Sequence, residues 1–283
     1  MSGPLVTGAT GQLGRALGAQ LPGGRLAGSA ELDITDRDAL ASFDWSGITA
    51  IINAAAWTAV DAAEEPDSML RAWEVNATGV ANLAWHARRL GIPLVHVSTD
   101  YVFQSAPAGP VPVESAVDPR SVYGITKAAG ELAARLAPVH YVVRTGWVYG
   151  EGPNFVRTMR RLATDRDEVS VVDDQFGRPT CAVDLAEALI ALLERRCPAG
   201  TYHVTGSGDV VSWAGFAAAI LEGTGCKVRP ISSQDYARDR PNVAPRPSNS
   251  ALDLSSLAAV GITTRDWRLA LQEYLAAERD RTG

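Results

Sequence analysis

Five short apolar runs, near residues 4, 25, 51, 95 and 142, alternate with stretches of helical periodicity, and this alternation constrains the fold most. Strand and helix repeated in this order spell βαβ units, whose strands lie parallel. Right-handed crossovers put the helices on both faces, so the expected class is α/β, a doubly wound parallel sheet. The first run, Pro4-Leu5-Val6-Thr7, leads directly into Gly8-Ala-Thr-Gly11-Gln-Leu-Gly14 and a helix through about Gln20. Glycines in that setting let backbone amides close on a diphosphate, where a helix N-terminus offers orphan N–H groups and the positive end of its dipole. The spacing is G-x-x-G-x-x-G, so the strand before it and the helix after it carry much of the signal.

The second strand, Gly24 to Gly28, ends in Ala27-Gly28-Ser29-Ala30, without the Asp or Glu that accepts from an NAD ribose. Arg25 and Ser29 are the neighbours that would favour NADP. Asp33 and Ile34 fall in the next turn, where an adenine would lie, and Thr35 or Asp36 caps a helix to about Phe43. The third strand, Ala50 to Asn53, opens into Ala54-Ala55-Ala56-Trp57-Thr58, and small residues at a strand's carboxyl end leave space for a ligand. A long helix is expected from Pro66-Asp67 to about Arg89, with Asn76 inside it and able to reach neighbouring strand ends.

The chemistry concentrates between residues 98 and 127. After the Leu94–Val97 strand come Ser98-Thr-Asp-Tyr-Val-Phe103, a loop rich in Pro and Gly, and Tyr123-Gly-Ile-Thr-Lys127. Tyr123 and Lys127 are four apart, so on a helix they share a face. An ammonium beside a phenol favours the phenolate and lowers its pKa, which would make Tyr123 a proton donor to an alkoxide forming on a carbonyl. Thr99 adds a hydroxyl able to hold the same oxygen. The chain has 24 arginines and only two lysines, Lys127 and Lys227, so Lys127 stands where a generic cation would not do.

Beyond His140–Arg144 the pattern loosens. Helices are expected over 155–166, 183–195, 212–222 and 266–278, and strands over 169–172, 201–205 and 227–231, around a polar loop at 173–180 and a Pro- and Arg-rich segment at 235–249. A core over 1–150 with a smaller region over 151–283 follows, the second interleaved with the first so that the boundary is soft. Net charge of −6 speaks against a nucleic-acid partner, and no apolar stretch approaches the roughly 20 residues that span a bilayer. Cys181, Cys197 and Cys226 are too few and too scattered for a disulfide framework or zinc site, and His86, His96, His140 and His203 show no ligand spacing. No metal is expected. The chain opens on a strand, leaving no room for a signal peptide, so the expected compartment is the cytoplasm.

With the glycine turn, NAAAWTAVDAAE (53–64), STDYVF (98–103), YGITK (123–127), RTGWVYG (144–150), VVDDQFGRPT (171–180) and RPSNSALD (246–253) in this order, the chain resembles the extended short-chain dehydrogenase/reductases, and within them the dTDP-4-dehydrorhamnose reductases. The resemblance covers nearly the whole length. It implies a Rossmann-like cofactor domain over 1–150, a mainly substrate-binding region over 151–283, and reduction of a dTDP-4-keto-6-deoxysugar by NADPH or NADH. It implies Tyr123 as the acid, Lys127 on the nicotinamide ribose, and Thr99 on the carbonyl. Gly8, Gly11, Gln12, Leu13 and Gly14 would hold the pyrophosphate, Asp33 and Ile34 the adenine, and Ala54, Ala55 and Ala56 the cofactor cleft. Asp100, Trp147, Asn154 and Arg246 would face the dTDP-sugar. Arg15 replaces a glutamate that some relatives use in a metal-bridged dimer, so the expected state is a monomer or homodimer without that bridge. Gly146 and Trp57 replace a serine and a histidine of the family pattern, beside the sugar pocket. Reductases of other antibiotic keto sugars, such as dihydrostreptose-type enzymes, and a non-catalytic regulatory subunit share the pattern.

Overall fold

The computed structural model describes residues 2–104, 109–240 and 242–282, with the side chains of 281 and 282 left aside. Its core is a six-stranded sheet of β1 (Gly3–Thr7), β2 (Arg25–Ala27), β3 (Ile48–Asn53), β4 (Leu94–Thr99), β5 (His140–Thr145) and a last strand, Gly200–His203. The spatial order is Gly200–His203, β5, β4, β3, β1, β2, and every pairing is parallel. Strand order reverses between β1 and β3. In open α/β sheets that reversal opens a crevice outside the carboxyl ends of the strands.

Both faces of the sheet are covered, which is why β3, β4 and β5 read as almost unbroken apolar runs. On one face α1 (Gln12–Gln20) packs Leu13 and Leu17 with Leu185, Leu189 and Leu192 of the Ala182–Glu194 helix against Val6, Ile52, Val95 and Val143. On the other, Val80, Leu83, Ala84 and Ala87 join Leu5, Ile51, Leu94 and Val142. Asp36 caps α2 (Arg37–Ser42), its carboxylate accepting from the backbone N–H of Asp38 and Ala39.

The long helix expected over 66–89 is two helices, α3 (Pro66–Trp73) and α4 (Gly79–Leu90), joined by a π-helical stretch at Glu74–Thr78. Asn76 sits in that widened turn. Its buried amide accepts from Trp57 N at 2.9 Å and donates to Trp57 O at 3.1 Å and Thr126 Oγ1 at 3.0 Å. The bulge therefore pins the loop after β3 to the helix that follows, α5 (Val122–Ala134).

In the second half, Gly200–His203 pairs with β5 along its length, and the Ala182–Glu194 helix lies on the sheet. A further core of Tyr149, Val156, Phe216, Trp267 and Leu271 binds the Phe155–Asp165, Trp213–Ile220 and Trp267–Thr282 helices to a parallel pair, Glu168–Val172 with Lys227–Ile231. The segment read as a polar loop holds two short strands, Phe176–Gly177 and Thr180–Cys181, which pair with Val211–Ser212 and Val148–Tyr149. Among the described residues no helix is long and apolar enough to cross a membrane.

Candidate active site

The glycine turn follows β1 because nothing larger fits. Gly8 has φ +71°, and a Cβ on Gly14 would lie 2.2 Å from Gly8 O. Gly11 precedes α1 without any side-chain cap, so the first amides of the helix remain available to an anion. The turn opens onto a cleft of about 580 Å³ at the carboxyl end of the sheet, whose walls include Gly11, Gln12, Leu13 and Gly14. Gln12 Oε1 is buried there with no hydrogen-bond partner among the described residues. A turn closed to side chains and free backbone amides suit a dinucleotide diphosphate. A hollow of about 640 Å³ lies at the amino ends of the strands, lined by residues such as Pro4, Leu21, Pro93 and Cys197, and brings no acid–base set together.

Tyr123 and Lys127 reach the same cleft from α5, whose first turn is capped by Ser121 Oγ accepting from Gly124 N at 3.1 Å. Thr99 and Asp100, at the end of β4, form the adjoining wall, with Thr99 Oγ1 donating to Asp100 Oδ1 at 2.8 Å. Lys127 is buried and its ammonium donates to Val97 O at 2.6 Å. Burial lowers its pKa to about 8, against the charge of Glu131, which raises it. Glu131 is itself held by Arg144 Nε at 2.9 Å, Arg144 Nη2 at 2.8 Å and Ser98 Oγ at 2.7 Å.

The lowered phenol pKa expected for Tyr123 is corrected by the structure. Protein packed around the hydroxyl pushes it up to about 12; a hydrogen bond with Thr99 opposes the rise, and the Asp100 charge adds to it. The Lys127 ammonium is turned toward Val97 O. Desolvation outweighs the neighbouring cation that the four-residue spacing brings near. Asp100 is shifted the same way, raised by burial against hydrogen bonds with Ser250 and Thr99. A Cβ on Gly146 would lie 2.8 Å from Asp100 Cγ and Oδ2, so the glycine makes room for that carboxyl.

Trp147 forms the far wall. It has φ +52°, a left-handed conformation that costs a non-glycine residue and collects at functional sites. Its ring stacks on Trp213 at 3.7 Å between centroids and 13° between planes, and both rings line the cleft. Trp213 was not singled out in the sequence. Its signal there is only an aromatic after a capping serine, as common in cores as in sites.

Ala54 and Ala56 line the cleft; Ala55 lies behind it, with its N 2.5 Å from the Cβ position of Gly8. Gly8 shapes the turn without lining the cleft, and four other candidates fall outside the walls. Asp33 pairs with Arg71 Nη2 at 3.0 Å, and Ile34 is buried in the core. Asn154 caps the Phe155–Asp165 helix, accepting from Arg157 N at 3.0 Å, while its amide donates to Gly150 O at 2.6 Å and Gly152 O at 3.1 Å. Arg246 reaches back to Asp61 Oδ2 at 2.8 Å, near the half-buried Tyr101, whose phenol feels its charge. Arg15 borders the turn and pairs with Glu151 across the cleft mouth at 3.1 Å.

A family model described as the RmlD substrate binding domain matches residues 4–279. The dTDP-4-dehydrorhamnose reductase of Streptomyces griseus is 43% identical, over 99% of this chain and 95% of its own. The dTDP-4-keto-6-deoxy-D-glucose reductase of Streptomyces niveus is 40% identical over 95% of each. The crystal structure of the Bacillus anthracis dTDP-4-dehydrorhamnose reductase, in complex with NADP, superposes with a TM-score of 0.90 at 34% identity, covering 98% of this chain and 100% of that one. With its glycine turn, its Thr99, Tyr123 and Lys127 on one cleft, and this likeness from end to end, the chain belongs to the RmlD family, that of the dTDP-4-dehydrorhamnose reductases.

Proposed function

We propose that this protein reduces the 4-keto group of a dTDP-4-keto-6-deoxysugar with NADPH or NADH, converting dTDP-4-dehydro-L-rhamnose to dTDP-L-rhamnose. The observation that carries the reading is one cleft walled by both the glycine turn and the Thr99, Tyr123 and Lys127 side chains. The nicotinamide, when bound, supplies a hydride. The chain's own residues manage the proton. Thr99 and Tyr123 hold the carbonyl oxygen, and Tyr123 gives it a proton as negative charge develops. A phenol near 12 is protonated at neutral pH, and an alkoxide is a strong enough base to take its proton. Lys127 brings positive charge to the ribose side of the cleft, and the stacked Trp147 and Trp213 offer a flat platform for the sugar nucleotide. Binding at the remote nucleotide would position the sugar for transfer. The S. niveus relative supports a second product, in which another keto sugar of the same series is the substrate. A regulatory subunit would have no use for a buried ammonium beside a phenol.

Three unpaired cysteines fit a reducing compartment, and we place the protein in the cytoplasm. Arg15, engaged with Glu151 in place of the family's glutamate, supports a monomer or homodimer without a metal bridge. The test is loss of reduced-nicotinamide absorbance at about 340 nm with dTDP-4-dehydro-L-rhamnose, the product identified by NMR. Stoichiometric oxidation with dTDP-L-rhamnose formed supports the reading. Absence of oxidation, with cofactor bound, overturns this substrate.

A further inference from the structure

Trp147 keeps its left-handed backbone, φ +52°, under a large side chain. Such a conformation persists only where its surroundings over-determine it. Part of the hold is on the main chain, where Thr180 N donates to Trp147 O at 3.2 Å and Thr180 Oγ1 to Gly146 O at 2.7 Å. The rest is on the ring. Trp213 covers one face, at 3.7 Å between centroids and 13° between planes. A Cβ on Gly177 would meet Trp147 Cε2 at 3.0 Å and Cζ2 and Nε1 at 3.2 Å, with no atom of Trp213 as near. Gly177 therefore lies against the opposite face. One antiparallel ribbon carries both jaws, pairing Val211 with Gly177 and Ser212 with Phe176.

Trp213 is itself fixed. Its N–H donates to Gln175 O at 3.3 Å, and Ser212 Oγ caps its helix by accepting from Gly215 N at 3.0 Å. The Phe155 ring stands edge-on against it at 4.6 Å and 61°. The clamp bears on the chemistry through the preceding residue. A Cβ on Gly146 would lie 2.8 Å from Asp100 Cγ, and Asp100 accepts from Thr99 Oγ1 at 2.8 Å. We propose that Trp213 is a positioning residue: stacked on Trp147, it holds the left-handed turn against Asp100 and Thr99 and so sets where the keto sugar lies for hydride transfer. This rests on the reduction proposed above.

The test is steady-state reduction by the full-length protein, with binding of reduced nicotinamide and of dTDP measured separately by calorimetry. Trp213→Leu should lower kcat about tenfold or more, from a misplaced sugar, with both binding constants within about twofold of wild type. Trp213→Phe keeps a flat ring and should recover most of the loss. Gly177→Ala presses the indole from the other side and should lower kcat as well. In the Trp213→Leu background it should cost little, because the ring is already free, so the two changes are non-additive. Additive effects, a Phe variant no better than Leu, or a Leu variant at wild-type kcat overturn the proposal. So does joint loss of nicotinamide and dTDP binding in a variant whose circular dichroism shows it folded. Where Trp213→Leu does not fold, Gly177→Ala decides alone, and an unchanged kcat overturns the proposal. A wild type that oxidises no cofactor overturns the substrate assigned above, and the clamp is then read by fluorine NMR of protein labelled with fluorotryptophan. Trp147 should give one narrow signal in wild type and a broadened or split one in Trp213→Leu; equally narrow signals overturn the clamp.

Discussion

Replacing Lys127 by Met removes the buried ammonium while keeping a straight, similarly long side chain. Lys127 is 2% exposed, and its pKa falls from 10.5 to about 8 on burial. Between those values the unfolded chain binds a proton that the folded chain does not, so stability contributed by this site rises with pH. Below about pH 8 the folded protein carries the full cost of the buried charge, about 3 kcal/mol at roughly 1.4 kcal/mol per pH unit. Urea unfolding of wild type and Lys127→Met at about pH 7 and about pH 10 isolates the effect, since other titrations cancel in the difference. Relative to the variant, the wild type should gain about 2–3 kcal/mol over that interval. A difference that stays constant with pH, or moves the other way, would refute the claim that this ammonium is held at a cost. The variant should also fail to turn over substrate, placing stability and activity in opposition at one residue.

Tyr123→Phe should lower kcat by about a hundredfold or more while reduced-nicotinamide binding persists. Near-normal turnover would remove Tyr123 as the proton donor. Glu131→Gln breaks the buried pair with Arg144 and should cost about 3–5 kcal/mol in urea unfolding. It also withdraws the charge that supports the Lys127 ammonium, so the alkaline gain in stability should begin at lower pH. A loss below about 1 kcal/mol would mean the pair behaves as though solvated.

The sheet was legible because its strands are buried on both faces and its helices on one, and burial writes itself as runs and periods. Five strands could be placed to within about two residues in this way. That Thr99, Tyr123 and Lys127 meet at one cleft was legible because Tyr123 and Lys127 share one helix face and Thr99 ends the neighbouring strand. What escaped depends on contacts that sequence distance hides. The π-helical stretch at Glu74–Thr78 leaves no mark in hydrophobic periodicity, since it follows from where Asn76 finds partners, at Trp57 and Thr126. The direction of the Tyr123 shift was misread because spacing reports which charges are near and says nothing of how much water is lost. Asn154 shows the reverse. Its position before an apolar helix is a plain capping signal, and the structure uses it so.

The strand Gly200–His203 has a consequence for synthesis on the ribosome. When the first 150 residues have emerged, β5 has no neighbour on its outer side, and its backbone groups there face solvent as an open edge. That edge closes only after some fifty more residues are made, so the nascent chain passes through a stage with a sticky template exposed. A gene fragment cut at the apparent boundary would freeze the chain at that stage. The two halves of this chain cannot be exchanged as cassettes, because the last plank of the first is carried by the second.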